Sequence, residues 1–175
     1  MRLFYQSAPN VDIAPVSNWS GGGFALPNGK GGWLRTNPDF HASYVARRDK
    51  ELNYKLKPLV LMLKRWNNVH SKHLKSFHLE VIASTVFSSL GNDSRDSCEK
   101  FFAWAQNSLA VQDPAGHSGD LSIYLNPSSR QSVIQNLEAA RVRAAAANLA
   151  ARNGNHRESI RLWRIVFGDE FPAYG

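Results

Sequence analysis

Two short stretches gather residue types that could hold a phosphorylated ligand. Lys64-Arg65-Trp66 and Lys75-Ser76-Phe77-His78 combine cations, a hydroxyl and aromatic rings. Such a set suits phosphate contacts together with stacking on a base. Ser76 at a helix start would add exposed backbone N–H groups, a natural place for an anion. The plainer reading is a solvated basic helix face with Phe77 turned into the core, and taken alone the charge run favours it. Asp12 stands between Val11 and Ile13. A carboxylate among β-branched residues needs a metal, a cation or a capping role. From that triplet alone a strand-end Asp in solvent or in a turn is the simpler expectation.

Other clusters are weaker. His70, His73 and His78 lie close together, yet their spacing matches no common zinc pattern, and Cys98 has no neighbouring ligand. Asp169-Glu170 follow a helix stop at Gly168 and read as a polar turn. No Gly-Lys-Ser/Thr phosphate loop, GxGxxG or catalytic triad is present, and the glycines at 21–23 and 31–32 do not precede a helix.

The elements that must position these residues fall into two parts. Residues 1–36 hold Val11-Asp12-Ile13, a short strand between Pro9 and Pro15, and then glycine-rich loops or tight turns at Asn18 to Gly23 and Pro27 to Trp33. From residue 37 the pattern is helical. Asn37-Pro38 opens a helix through Tyr44 and Arg48. Lys57-Pro58 opens a second, with Leu59, Leu63 and Trp66 at core spacing. A third spans residues 76–90 and stops at Gly91-Asn92. A fourth carries Cys98, Phe101, Ala105 and Leu109 on one face. After a loop at residues 112–116, Asn126-Pro127 starts a long alanine-rich helix ending at Asn153-Gly154. The last carries Ile160, Trp163 and Phe167 and stops at Gly168. The run Ala144 to Ala147 reads as a close helix contact.

Composition narrows the class. The 175 residues include 9 Phe and 5 Trp with 43% hydrophobic residues, which excludes a disordered chain. The longest apolar run, residues 58–63, cannot cross a bilayer. Met1 to Gln6 lack a signal peptide's apolar stretch, and a single cysteine fits a reducing compartment, so a cytoplasmic protein is expected. The net charge is +7. Between Arg47 and Lys75 stand nine basic residues against Asp49 and Glu51 alone, so the whole excess lies in the segment that contains Lys64. That points to an anionic partner.

Six stretches in order resemble the nucleotidyltransferases related to oligoadenylate synthase and cyclic GMP-AMP synthase, above all the bacterial branch that makes cyclic oligonucleotide signals in anti-phage defence. They are Val11 to Pro15, Gly31 to Pro38, Leu56 to Asn67, Lys75 to Glu80, Asp113 to Gly116 before Asp120-Leu121, and Trp163 to Pro172. The resemblance implies a mainly α fold: residues 37–175 as the helical nucleotide-binding lobe, and residues 1–36 as a short β remnant of the catalytic sheet. It implies that Asp12 is a metal-binding catalytic carboxylate for Mg²⁺, that Lys64 and Ser76 hold the donor triphosphate, and that Phe77 stacks on its base. The intact enzyme would join nucleoside triphosphates (ATP, GTP or others) through phosphodiester bonds and release pyrophosphate.

Departures from the family pattern set further expectations. No Gly-Ser dipeptide occurs, and no Asp-x-Asp precedes Asp12; Asp49-Lys50-Glu51 has the wrong order, position and helical setting. One carboxylate cannot hold two Mg²⁺ ions, so this chain alone is expected to be inactive, as the C-terminal part of a longer enzyme. A cysteine-rich zinc insertion is missing, so duplex DNA sensing is not implied, and no membrane is expected. Two alternatives remain: a non-catalytic helical module binding nucleotide or RNA through the basic segment, and an unrelated helical interaction domain whose basic face only solubilises it.

Overall fold

A computed structural model describes residues 2–3, 11–13, 15–28 and 31–175. Met1, Phe4, Tyr5, Gln6, Pro9, Ala14, Gly29 and Lys30, which enter the sequence analysis, lie outside the described residues, and the strand holding Asp12 is described as backbone. The chain is mainly α, with a short β part at its start. It divides into two compact units. One comprises residues up to Tyr44 with Gln112–Gly119, and the other Val45–Val111 with Asp120–Gly175.

The first unit contains the strands. β1 (Arg2–Leu3) pairs antiparallel with β2 (Val11–Asp12). β3 (Ser17–Asn18), β4 (Phe24–Pro27) and β5 (Trp33–Thr36) form an antiparallel sheet in that order. The glycine runs do make tight turns, closed by Trp19 N–H to the Gly23 carbonyl and Asn28 N–H to the Gly32 carbonyl, and the residues flanking them, Asn18, Pro27 and Trp33 among them, pair as hairpin strands. Gly23 shows why glycine is needed. Its φ is 83°, and a Cβ there would lie 2.6 Å from the carbonyl oxygen of Thr36. Arg35 fastens the same turn by donating to the carbonyls of Gly21 and Gly22 at 2.7 and 2.9 Å.

Helix α1 (Pro38–Glu51) starts where Asn37 Oδ1 accepts the Phe40 N–H, and it runs from the first unit into the second. The second unit adds α2 (Leu56–Val69), α3 (Ser76–Val86), α4 (Ser94–Ala105), α5 (Pro127–Arg152) and α6 (His156–Phe167). Its core contains Leu59, Leu63 and Trp66 of α2, Leu79 and Ile82 of α3, Phe101 and Phe102 of α4, Leu137 of α5 and Trp163 of α6. Ala144 and Ala147 are fully buried, so α5 meets its neighbours at close range without side-chain bulk.

Two helix ends differ from expectation. α3 stops at Val86 and not at Leu90, because Arg48 of α1 takes the carbonyls of Ser84 (2.9 Å) and Phe87 (2.8 Å) and Phe87 turns extended. α4 stops at Ala105, so Leu109 is buried from a loop. Gly168, at φ 82°, ends α6, where a Cβ would meet Val69 at 2.9 Å.

Candidate nucleotide site on α2 and α3

The site grows from the turn between α2 and α3. Asn67, buried on α2, reaches across that turn and binds Leu74 twice: Leu74 N–H donates to Oδ1 at 3.1 Å, and Nδ2 donates to the Leu74 carbonyl at 2.7 Å. The side chain thus acts as one rung of a ladder. Between those anchors Ser71 and Lys72 take left-handed conformations, with φ of 70° and 49°. Such strain persists only where the surroundings over-determine it. Two contacts from outside the turn help: Asn136 donates to the His70 carbonyl at 3.2 Å, and His70 Nε2 lies 3.0 Å from the Val166 carbonyl.

The start of α3 is fixed by a hydrogen-bonded relay. Lys75, its N-cap, offers no side-chain cap, and its N–H donates to Tyr124 Oη at 2.8 Å. The Tyr124 hydroxyl lies 2.9 Å from His78 Nδ1, and His78 Nε2 lies 2.7 Å from the Leu109 carbonyl. A carbonyl can only accept, so Nε2 carries the proton, Nδ1 accepts, and the phenol donates to it. This is the pattern of a neutral imidazole; an imidazolium would instead donate from Nδ1 to the phenol oxygen. Burial agrees: it holds His78 below its ordinary 6.5, against raising contributions from the Leu109 carbonyl and Asp120, while Arg130 and Lys75 depress it further. The Lys75 ammonium sits 4.4 Å over the Tyr124 ring.

On this frame Ser76, the first residue of α3, is exposed. Lys64, half-buried on α2, reaches α3 and places its ammonium 2.5 Å from Glu80. Glu80 lies four residues after Ser76, one turn along the same helix face. The Lys64 ammonium thus meets α3 at Glu80, one turn along the helix from Ser76. Phe77 is half-buried and packs against the core, which gives substance to the plainer expectation for that ring. Asp12 is on β2, in the other unit.

The remaining motifs have structural duties. Asp113 is buried in the first unit. Burial alone would raise its carboxyl, but N–H groups of Ala115, Ser118 and His117 at 3.0 to 3.1 Å, and His41 Nε2 at 2.9 Å, hold it below 3.8. Arg65 ties the end of α6, donating to the Phe167 carbonyl at 2.9 Å and pairing with Glu170 at 2.7 Å. Asp169 faces Arg164 at 3.6 Å. The sequence reading gave no role to Glu80, Tyr124 or Asn67, although Asn67 and Glu80 close two of the stretches that carry the resemblance. Glu80 alone left a signal, as the acid one turn after Ser76.

Among the described residues, no three His, Cys, Asp or Glu side chains gather as a metal would require. The described residues by themselves do not make up a two-metal centre. No helix of the described residues is long and apolar enough to cross a membrane.

No family model matches the chain. It is 26% identical over 155 residues to a probable cyclic nucleotide synthase of Bacillus cereus (strain VD146), covering 86% of this chain and 46% of that protein. It is 26% identical to a probable cyclic AMP-AMP-GMP nucleotide synthase of Salmonella paratyphi B, covering 99% and 49%. With a cyclic AMP-AMP-AMP synthase of Acinetobacter sp. the identity is 23%, covering 93% and 51%. The chain spans about half the length of the curated relatives it matches. Its fold matches CdnC of E. coli MS115-1, solved with ATP, at a TM-score of 0.79 and 18% identity over 97% of this chain and 63% of that one. A second structure of that protein, in a complex with HORMA-deltaN, gives 0.78. In sequence the chain is similar to bacterial cyclic nucleotide synthases, and it shares the fold of about three-fifths of CdnC.

Proposed function

We propose that this chain is the nucleotide-binding helical part of a cyclic oligonucleotide synthase, and that the α2–α3 face holds the donor nucleoside triphosphate. The carrying observation is the Lys64 ammonium, held by Glu80 one helical turn from Ser76. Lys64 is one cation on a face that also offers a hydroxyl and the positive end of α3. The Ser76 hydroxyl donates to a phosphate oxygen, and the ammonium shifts from Glu80 towards the phosphates when the nucleotide arrives. Phe77 offers its half-exposed ring to the base. The relay through Tyr124 and His78, with the Asn67 clamp, keeps the helix start from moving, so binding does not have to order it.

In the proposed reaction the whole enzyme joins nucleoside triphosphates into a cyclic oligonucleotide second messenger for antiviral defence and releases pyrophosphate. Asp12 contributes one carboxylate to a Mg²⁺-holding set, the others coming from polypeptide that the relatives have beyond the matched half. This chain by itself binds nucleotide without turning it over. Calorimetric titration with ATP tests the reading. Lys64→Ala and Ser76→Ala are each expected to weaken binding about 10-fold or more, as loss of a charge-assisted contact does. Equal affinity in both variants would remove the α2–α3 face from the function and favour the solvated-surface alternative.

A further inference from the structure

The last helix carries a second, separate concentration of cations. α6 buries Ser159, Trp163, Val166 and Phe167 on one side. On the other side Arg157, Arg161 and Arg164, with Ile160, Ile165, Tyr174 and one carboxylate, Asp169, line an open cavity of about 470 Å³. That is a size typical of small-ligand sites. The arginines recur at intervals of four and three residues, which at 1.5 Å per residue spreads them over about 10 Å of the helix axis. The three arginines therefore offer an elongated row of cations along one helix face and not a single compact cluster.

Their existing partners are weak competitors. Arg157 has no carboxylate partner among the described residues, and its guanidinium lies 5.8 Å from the centre of the Tyr174 ring. Arg161 pairs with Glu158 at 2.7 Å, and Arg164 faces Asp169 at 3.6 Å. Both pairs lie towards solvent, where they hold their cations loosely. Ile160 and Ile165 supply an apolar floor, and the 49% exposed Tyr174 an aromatic wall. Guanidiniums in a row beside an aromatic ring and apolar surface are the combination that binds single strands, the cations following the backbone and the ring stacking on a base. An acidic peptide would use the arginines but not the ring.

We infer that this cavity binds a short single-stranded oligonucleotide, with Arg157, Arg161 and Arg164 on successive phosphates and Tyr174 on a base. The site shares no residue with the α2–α3 face and stands whether or not that face binds a triphosphate.

Fluorescence anisotropy of the full chain with a labelled five-nucleotide RNA tests it, alongside unlabelled ATP, a cyclic dinucleotide and a hexaglutamate peptide as competitors. The RNA is expected to bind, and Arg157→Ala/Arg161→Ala to weaken it about 10-fold or more, with the salt slope falling by about 1.4 for two lost contacts. Tyr174→Ala should weaken it several-fold at an unchanged slope. These side chains face solvent, so the melting temperature should stay the same. Lys64→Ala/Ser76→Ala should leave RNA affinity unchanged even where it abolishes ATP binding. ATP and the cyclic dinucleotide should displace the RNA only weakly, because neither spans the row of arginines; displacement by either as strong as by unlabelled five-nucleotide RNA would overturn the strand reading. No RNA binding, equal binding by the double arginine variant, or equal competition by hexaglutamate would overturn the inference.

Discussion

Replacing Tyr124 with Phe isolates the relay that fixes the start of α3. The change removes one oxygen and keeps the ring under the Lys75 ammonium. The Lys75 N–H loses an acceptor at 2.8 Å, and His78 Nδ1 loses its donor at 2.9 Å. Lys75 is exposed, so water can replace the first bond cheaply. His78 is 2% exposed, and its nitrogen is left poorly satisfied, at about 1–3 kcal/mol. Adding a few tenths for the backbone bond, a total loss of about 1–3 kcal/mol is expected at pH 8. The pH dependence carries a second signature. His78 lies below its ordinary 6.5 in the folded chain because burial disfavours the charged ring. The unfolded chain therefore binds more protons below pH 6.5, so stability is complete above that value and declines as pH falls towards the depressed one. Without the phenol's bond to Nδ1, the neutral ring loses support and that decline becomes shallower. Urea denaturation at pH 8, 6.5 and 5.5 reads both effects. A Tyr124→Phe protein within 0.5 kcal/mol of wild type, on the order of an inert surface change, with an unaltered pH slope would refute the relay.

Further changes probe the frame. Asn67→Ala leaves the buried N–H and carbonyl of Leu74 unpaired, and a loss of about 2–4 kcal/mol is expected in the same assay, with weaker ATP binding because Ser76 loses its anchored turn. Gly23→Ala forces a Cβ to within 2.6 Å of the Thr36 carbonyl at φ 83°. It should cost about 1–3 kcal/mol locally, seen as faster hydrogen exchange in β4 and β5 while α2 to α6 keep their protection.

Local chemistry was legible where it acts over a few residues. Asn37 and Asn126 announced helix starts, and their side chains do accept the Phe40 and Ser129 N–H groups. Gly154 and Gly168 announced stops and have positive φ. The core spacing of Leu59, Leu63 and Trp66 also survives in the fold. What failed depends on partners distant in sequence. Nothing near Val86 says that α3 ends there, because Arg48 supplies the cap. The hairpins around Gly21 to Gly23 were hidden by their own turns, since strands of two to four residues are too short to show an alternating pattern. At the candidate site, the resemblance singles out Lys64 and Ser76, but the contact of Lys64 with Glu80 on α3 joins residues sixteen apart and has no signature in the sequence. His78 looked like one of three similar histidines. Only burial and the Leu109 carbonyl separate it from the others, making it a neutral link in a relay.

The most direct measurement is the affinity of the full chain for ATP beside that of Lys64→Ala and Ser76→Ala, each checked for an unchanged melting temperature. Binding by wild type, with about 10-fold or greater loss in both variants, is the expected result. ATP binding of equal strength in all three proteins, or none in the wild type, would contradict a triphosphate site on α2 and α3.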